Sequence, residues 1–361
     1  MAQYGSLLAD MIDRIERPDE AAREAARERQ SQLTKPAGAL GRLEELHVWA
    51  AGVFADPTPP APAKSIVVAA ADHGVADEGV SAYPQAVTKQ MVLNLLADGA
   101  AVNVLAAQAG ARVLVVDAGV AAETSHSDLV VAKVRAGTSN MTSGPAMSTE
   151  EVSTLLDRGA RLGRELALQA PHAVALGDMG IANTTAAAAI TSILTGAAPR
   201  LTAGRGTGVD DAAFAAKVAA IERAIAVNAP DPLSPVDVLA KVGGFEMAFL
   251  AGVAIGAASS RAAVILDGYP TTAAALIAGV LAPGSVEYML ASHRSAEPGH
   301  GIALDHLGLQ PLLDLQMRLG EGTGAALAMM LLDAALAIPR EMATFESAGV
   351  ARSERELRGE A

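Results

Sequence analysis

The sequence predicts an α/β fold, a mostly parallel sheet covered by helices on both faces, and three observations carry that prediction. Strand-like apolar runs alternate with helix-like segments to about residue 308, the signature of parallel strands joined by helical crossovers. Five of those runs end in a polar cluster. Glycine-rich turns lead into several of the helices. The five runs are 65–71 (SIVVAAA) before Asp72, His73 and Gly74; 112–116 (RVLVV) before Asp117; 173–176 (AVAL) before Gly177 and Asp178; 263–266 (AVIL) before Asp267 and Gly268; and 288–291 (YMLA) before Ser292, His293 and Arg294. Open α/β sheets bind ligands outside the carboxyl ends of their strands, so these clusters point to one site built from several loops.

Taken in order, residues 1–53 read as helices. The charged, Ala-rich stretch 19–32 forms a surface helix, Lys35-Pro36 breaks it, and 40–51 forms another with apolar residues at helical spacing. A Pro-rich connector, 55–64 (ADPTPPAPAK), precedes the first strand. Ser148 with Glu151 makes a capping-box pattern ahead of a helix that runs to about Gln169. From 309 the chain turns helical again and ends in a polar tail, 347–361, expected to fray. The predicted organisation is a small helical domain from 1–54 and 309–361 around an α/β domain at 55–308. No internal repeat is present.

Composition narrows the function classes. The 361 residues are 51% hydrophobic and 19% charged, a well-cored globular balance. Aromatic residues are 3%, so Ala, Val, Leu, Ile and Met must build the core. A formal net charge of −13 argues against a nucleic-acid backbone as partner. An anionic substrate would have to be held by a local basic cluster and by backbone N–H groups. With no cysteine, disulfides, thiolate nucleophiles and cysteine–zinc sites are excluded together. No signal peptide is read at the N-terminus, and neither 245–258 nor 324–338 reads as a membrane span, so a cytoplasmic protein is expected.

Three glycine-rich turns could present N–H groups to an anion: 177–185 (GDMGIANTT), 204–208 (GRGTG, ahead of a helix carrying Lys217) and 319–328 (LGEGTGAALA). Any one of them could be no more than a tight turn; three together favour a phosphorylated ligand. The chain has no GxxxxGK[ST] and no GxGxxG after its first strand, which disfavours a P-loop NTPase and a dinucleotide-dependent oxidoreductase. Glu321 sits between glycines and apolar residues, an environment that raises a carboxyl group's pKa and suits a general base. The competing reading is a carboxylate that serves its own helix N-terminus. The seven histidines include no HExxH pair, so no metal is expected.

Together the segments resemble the nicotinate-nucleotide–dimethylbenzimidazole phosphoribosyltransferase family. The likeness runs from about residue 32 to 346, through LTKPAGALGRLEEL, ADHGVADEGVSAYPQAVTKQMV, AGTSNMTSGPAMS, GDMGIANTT, GRGTG, GGFEMAFLAG, DGYPTTAAAL, SHRSAEPGH and RLGEGTGAALA. It implies a Rossmann-like sheet, a small helical domain from both termini, a homodimer and no cofactor. The implied reaction moves phosphoribose from nicotinate mononucleotide to 5,6-dimethylbenzimidazole, giving α-ribazole 5′-phosphate and nicotinate for the lower ligand of cobalamin. It makes Glu321 the base and Asp178 its assistant, with Ser81 and Gln90 near the benzimidazole. It puts the loop of Gly177, Gly180, Asn183 and Thr184 near the phosphate with Lys217 and Ser292, and Gly204, Arg205 and Gly206 beside the substrate. The chain departs from the family's GEMGIGNTT at two positions, where it has Asp178 and Ala182. A binding homologue without catalysis, or one with altered base specificity, is the alternative. The preferred base is not legible in the sequence.

Overall fold

The computed structural model describes residues 4–168, 171–206, 208 and 210–351. Gln169, Thr207 and the tail beyond 351 lie outside them. Six strands form one all-parallel sheet: β1 (Ala63–Ala71), β2 (Arg112–Gly119), β3 (Leu129–Val131), β4 (His172–Met179), β5 (Ala263–Leu266) and β6 (Met289–Ala291). Their order across the sheet is β3-β2-β1-β4-β5-β6. This is the doubly wound Rossmann order that the resemblance implied. The chain winds outward from β1 to β3, then returns to β4 on the other side of β1. The topological switch point therefore lies between β1 and β4.

Alternate side chains of each strand point to opposite faces. Val67, Ala69 and Ala71 of β1 join Val174 and Leu176 of β4 in one apolar layer, under helices Thr149–Ala167, Asn183–Thr195, Phe245–Ala258 and Tyr269–Leu281. Ile66, Val68 and Ala70 join Ala173 and Ala175 in the other, under helices Arg42–Phe54, Ala86–Leu96, Ala101–Ala109 and Thr323–Glu341. Helix Phe245–Ala258 is buried along its whole length. It lies so close to helix Thr149–Ala167 that a Cβ at Gly159 would fall 1.9 Å from the Phe249 carbonyl oxygen. Small residues replace aromatics here by letting backbones approach.

The chain's two ends meet. Leu33 bridges Thr344, and Arg29 Nε donates to the Pro339 carbonyl (2.8 Å). Helices Arg42–Phe54 and Thr323–Glu341 also share an apolar layer with the sheet. Two stretches, Ala86–Ala109 and Thr323–Glu341, are long and apolar enough to pass a length-and-composition test for a membrane span. The first is broken around Gly99, and the buried face of the second lies on the sheet.

Several details differ from the sequence reading. β3 was not foreseen. β2 and β4 run further than expected, so Asp117, Gly177 and Asp178 lie inside strands rather than after them. The predicted capping box forms: Ser148 Oγ accepts from Glu151 N (3.1 Å) and Glu151 Oε2 accepts from Ser148 N (2.8 Å).

Candidate active site

A cavity of about 330 Å³ opens at the carboxyl ends of the strands, beside the switch point. Four of the five polar clusters send loops to it. Val80, Ser81 and Tyr83 come from the segment after β1, and Asp178–Thr184 from β4 and its turn. Gly268, Tyr269 and Pro270 follow β5; His293, Ser295 and Glu297 follow β6; Gly206 and Arg318–Gly320 complete the wall. The β2 cluster goes elsewhere. Asp117 accepts from Val120 N (2.8 Å) and pairs with Lys133 (3.4 Å), which fixes its own turn.

Glu321 sits just behind Gly320. It is 4% exposed, and its Oε2 finds no hydrogen-bond partner among the described residues. Burial raises its carboxyl pKa above the ordinary range. Its backbone is left-handed (φ 62°), a conformation that costs a non-glycine residue about 1–3 kcal/mol and concentrates at functional sites. Glu321 N donates to the Asp178 carbonyl (3.2 Å), and a Cβ at Gly177 would fall 2.7 Å from the Glu321 carbonyl oxygen. Only glycine at 177 lets the two segments touch. The helix that follows begins at Thr323, and the carboxylate at its N-terminus belongs to Asp267, which accepts from Gly322, Gly324 and Ala325 N–H. Glu321 is thus left free of the capping role that the competing sequence reading gave it.

Asp178 is 6% exposed. Its Oδ2 accepts from Asn183 Nδ2 (2.7 Å), while Oδ1 has no partner among the described residues. Burial pushes its pKa well up and the Asp267 charge pushes further; the Asn183 bond opposes them, and Glu246 and Glu321 add to the rise. Two carboxyl groups with raised pKa values therefore meet at one wall. Behind them His73 Nε2 lies 2.8 Å from Glu246 Oε1, both buried. Burial lowers the His73 pKa, but Glu246 and Asp72 together more than restore it.

Further along the turn after β4, Thr184 Oγ1 accepts from Lys217 Nζ (2.8 Å). Lys217 is 1% exposed and lies behind Thr184 and Gly206 rather than on the cavity surface. Burial lowers its pKa to about 8, against the pull of Glu297. Glu297 Oε1 accepts from Gly206 N (2.8 Å), and Arg318 Nη1 donates to the Gly206 carbonyl (3.1 Å). Gly204 and Arg205 line an adjoining groove that shares Gly206, Glu297 and Arg318 with the cavity.

Of the residues expected at the site, Ser81, Asp178, Gly180, Asn183, Thr184 and Gly206 line the cavity. Glu321, Gly177 and Lys217 stand directly behind its walls. Ser292 is buried, with its Oγ on the Asp267 carbonyl (3.2 Å) and beside His293 Nδ1 (3.0 Å). Gln90 is exposed on helix Ala86–Leu96 and does not line the cavity. Tyr269, Glu297 and Arg318 were not singled out, and His293 entered only as a member of its strand-end cluster. For Glu297 a local signal existed: it precedes Pro298, at the start of a helix, and its side chain makes no cap bond there but accepts from Gly206 N instead. Ala182, one of the two departures from the family pattern, is left-handed (φ 74°), where glycine carries no Cβ penalty.

A phosphoribosyltransferase family profile matches residues 15–350. The chain belongs to this family. Nicotinate-nucleotide–dimethylbenzimidazole phosphoribosyltransferase of Desulforudis audaxviator is 53% identical over 351 residues, covering 96% of this chain and 99% of that one. The protein of the same name from Chloroflexus aggregans is 52% identical, covering 96% and 98%. The crystal structure of the enzyme from Thermus thermophilus superposes with a TM-score of 0.87 at 46% identity, covering 93% of this chain and all of the other. Family members act on small-molecule substrates, which suits a cavity of this size in an acidic protein.

Proposed function

We propose that this chain transfers phosphoribose from nicotinate mononucleotide to 5,6-dimethylbenzimidazole or a related base, with Glu321 as the general base. The observation that carries the reading is the unpartnered, buried carboxylate of Glu321 beside a cavity that Lys217 backs at Thr184 and Gly206. In the donor the pyridinium nitrogen is already cationic, so nicotinate leaves without an acid. The benzimidazole attacks C1′ through one ring nitrogen while the other loses its proton. A carboxylate of raised pKa can take that proton, a contribution of roughly 10²–10⁴-fold. Attack opposite the leaving group turns the β-nucleotide into an α-ribotide. Lys217 and the 180–184 and 204–206 loops supply N–H groups and charge for the phosphate; Ser81 belongs to the base's side of the cavity. A homodimer, a cytoplasmic location and a helical unit formed by both termini belong to the same proposal.

Incubation with nicotinate mononucleotide and a panel of bases, with products weighed by mass spectrometry, tests it. An α-ribotide with release of nicotinate is expected; nicotinate release without any base adduct would sink the reading.

Asp178 allows a second test. Glutamate here adds one methylene beside a cavity, at a cost below the about 1–3 kcal/mol of overpacking a closed core. Asp178→Glu is expected to keep turnover with dimethylbenzimidazole within about threefold, or to raise it. A tenfold loss would show that the Asn183 bond has tied this site to the shorter side chain.

A further inference from the structure

We propose that Asp267 is a positioning residue: by gripping the turn that follows Glu321, it sets where the Glu321 carboxylate sits. The inference rests on the reading of Glu321 as the base. Asp267 stands at the end of β5, 1% exposed. Its Oδ2 accepts from Gly322 N (3.0 Å) and its Oδ1 from Gly324 N (2.7 Å) and Ala325 N (3.1 Å). Both oxygens are committed to the backbone immediately after Glu321. Asp267 is itself held. Its N–H donates to Thr271 Oγ1 (3.1 Å), and its carbonyl accepts from Ser292 Oγ (3.2 Å).

Glu321 is therefore clamped from two strands. Its own N–H is tied to β4 through the Asp178 carbonyl, and the next N–H is tied to β5 through Asp267. A left-handed non-glycine residue persists only where its surroundings hold it. Without the Asp267 grip, residue 321 is free to relax to negative φ, and the carboxylate swings away from the wall it shares with Asp178.

Charge adds a second effect. The titratable groups around Asp267 are Glu321 and Asp178, together with His293, whose Nδ1 is 3.9 Å from Asp267 Oδ1. The Asp267 pKa is pushed up to about 7, because burial raises it more than the three N–H donors lower it. An ionised Asp267 disfavours ionisation of Asp178 and so keeps it more basic.

Steady-state kinetics of Asp267→Asn and Thr271→Val, beside wild type and Glu321→Gln, test the proposal. Asp267→Asn should lower kcat about tenfold or more, with KM for both substrates within threefold. Combined with Glu321→Gln, it should cause no further loss. Thr271→Val is isosteric and keeps the charge. It should lower kcat about threefold to tenfold with KM for both substrates within threefold, and it decides the matter if the Asn variant does not fold. Wild-type kcat in the folded variants, or a full multiplicative loss on top of Glu321→Gln, would overturn the positioning role. Wild-type activity in Glu321→Gln would instead remove the base assignment on which it rests.

Discussion

Replacing Glu321 with glutamine should lower kcat by about 10²-fold or more and leave the affinity for each substrate within about threefold. Glutamine keeps the shape and buries a comparable side chain, but it cannot accept a proton. The pH profile gives an independent reading. The base works only when ionised, and burial raises its pKa. In the wild-type enzyme activity should therefore fall as pH drops through a value above the ordinary carboxylate range of about 4. Below that value Glu321 holds a proton and the benzimidazole N–H has no acceptor. In the glutamine variant that acid limb should vanish from the residual rate. Turnover within threefold of wild type, with the limb intact, would send the proton elsewhere, first of all to Asp178.

Much of this site was legible because strands buried on both faces carry continuous apolar runs, and the polar residue that ends each run stands near the sheet's functional edge. By that logic Asp267 and His293 stand just past the ends of β5 and β6, while β4 runs on to Met179 and carries Asp178 to the cavity from inside the strand. β2 likewise continues past 116, pairing Asp117 with Val131 of the short edge strand, and there the Asp117 carboxylate goes to Val120 N and Lys133 instead of the cavity. β3 itself, three residues long with Val131 exposed, gives no periodic signal. Gln90 shows another limit: a residue can stand in a telling segment and still be exposed outside the cavity's lining. The role of Asp267 was equally hidden. Its partners are backbone N–H groups more than fifty residues away, and only the parallel order of β4 and β5 brings them together. Glu321 could be read locally as either a helix-end carboxylate or a base. The fold separates the two roles by giving the first to Asp267.

Lys217→Ala should weaken nicotinate mononucleotide binding about 10- to 100-fold and barely change affinity for the uncharged base. The ammonium is buried, and its one hydrogen bond among the described residues goes to Thr184 Oγ1 at the cavity wall. A charge-assisted bond to a phosphate contributes about 1.5–3 kcal/mol, which sets the expected range. The pH dependence has a definite sign. In the free protein Lys217 titrates at about 8 because burial penalises its charge. The phosphate binds the protonated form, so affinity should be full below that pH and decline as pH rises through 8. The alanine variant should lose this decline along with the affinity. Isothermal titration of each ligand at pH 7 and pH 9 separates the outcomes. If both ligands weaken equally, Lys217 serves to hold Thr184 and the 204–206 loop in place, and the phosphate is left to the N–H groups of the glycine turns.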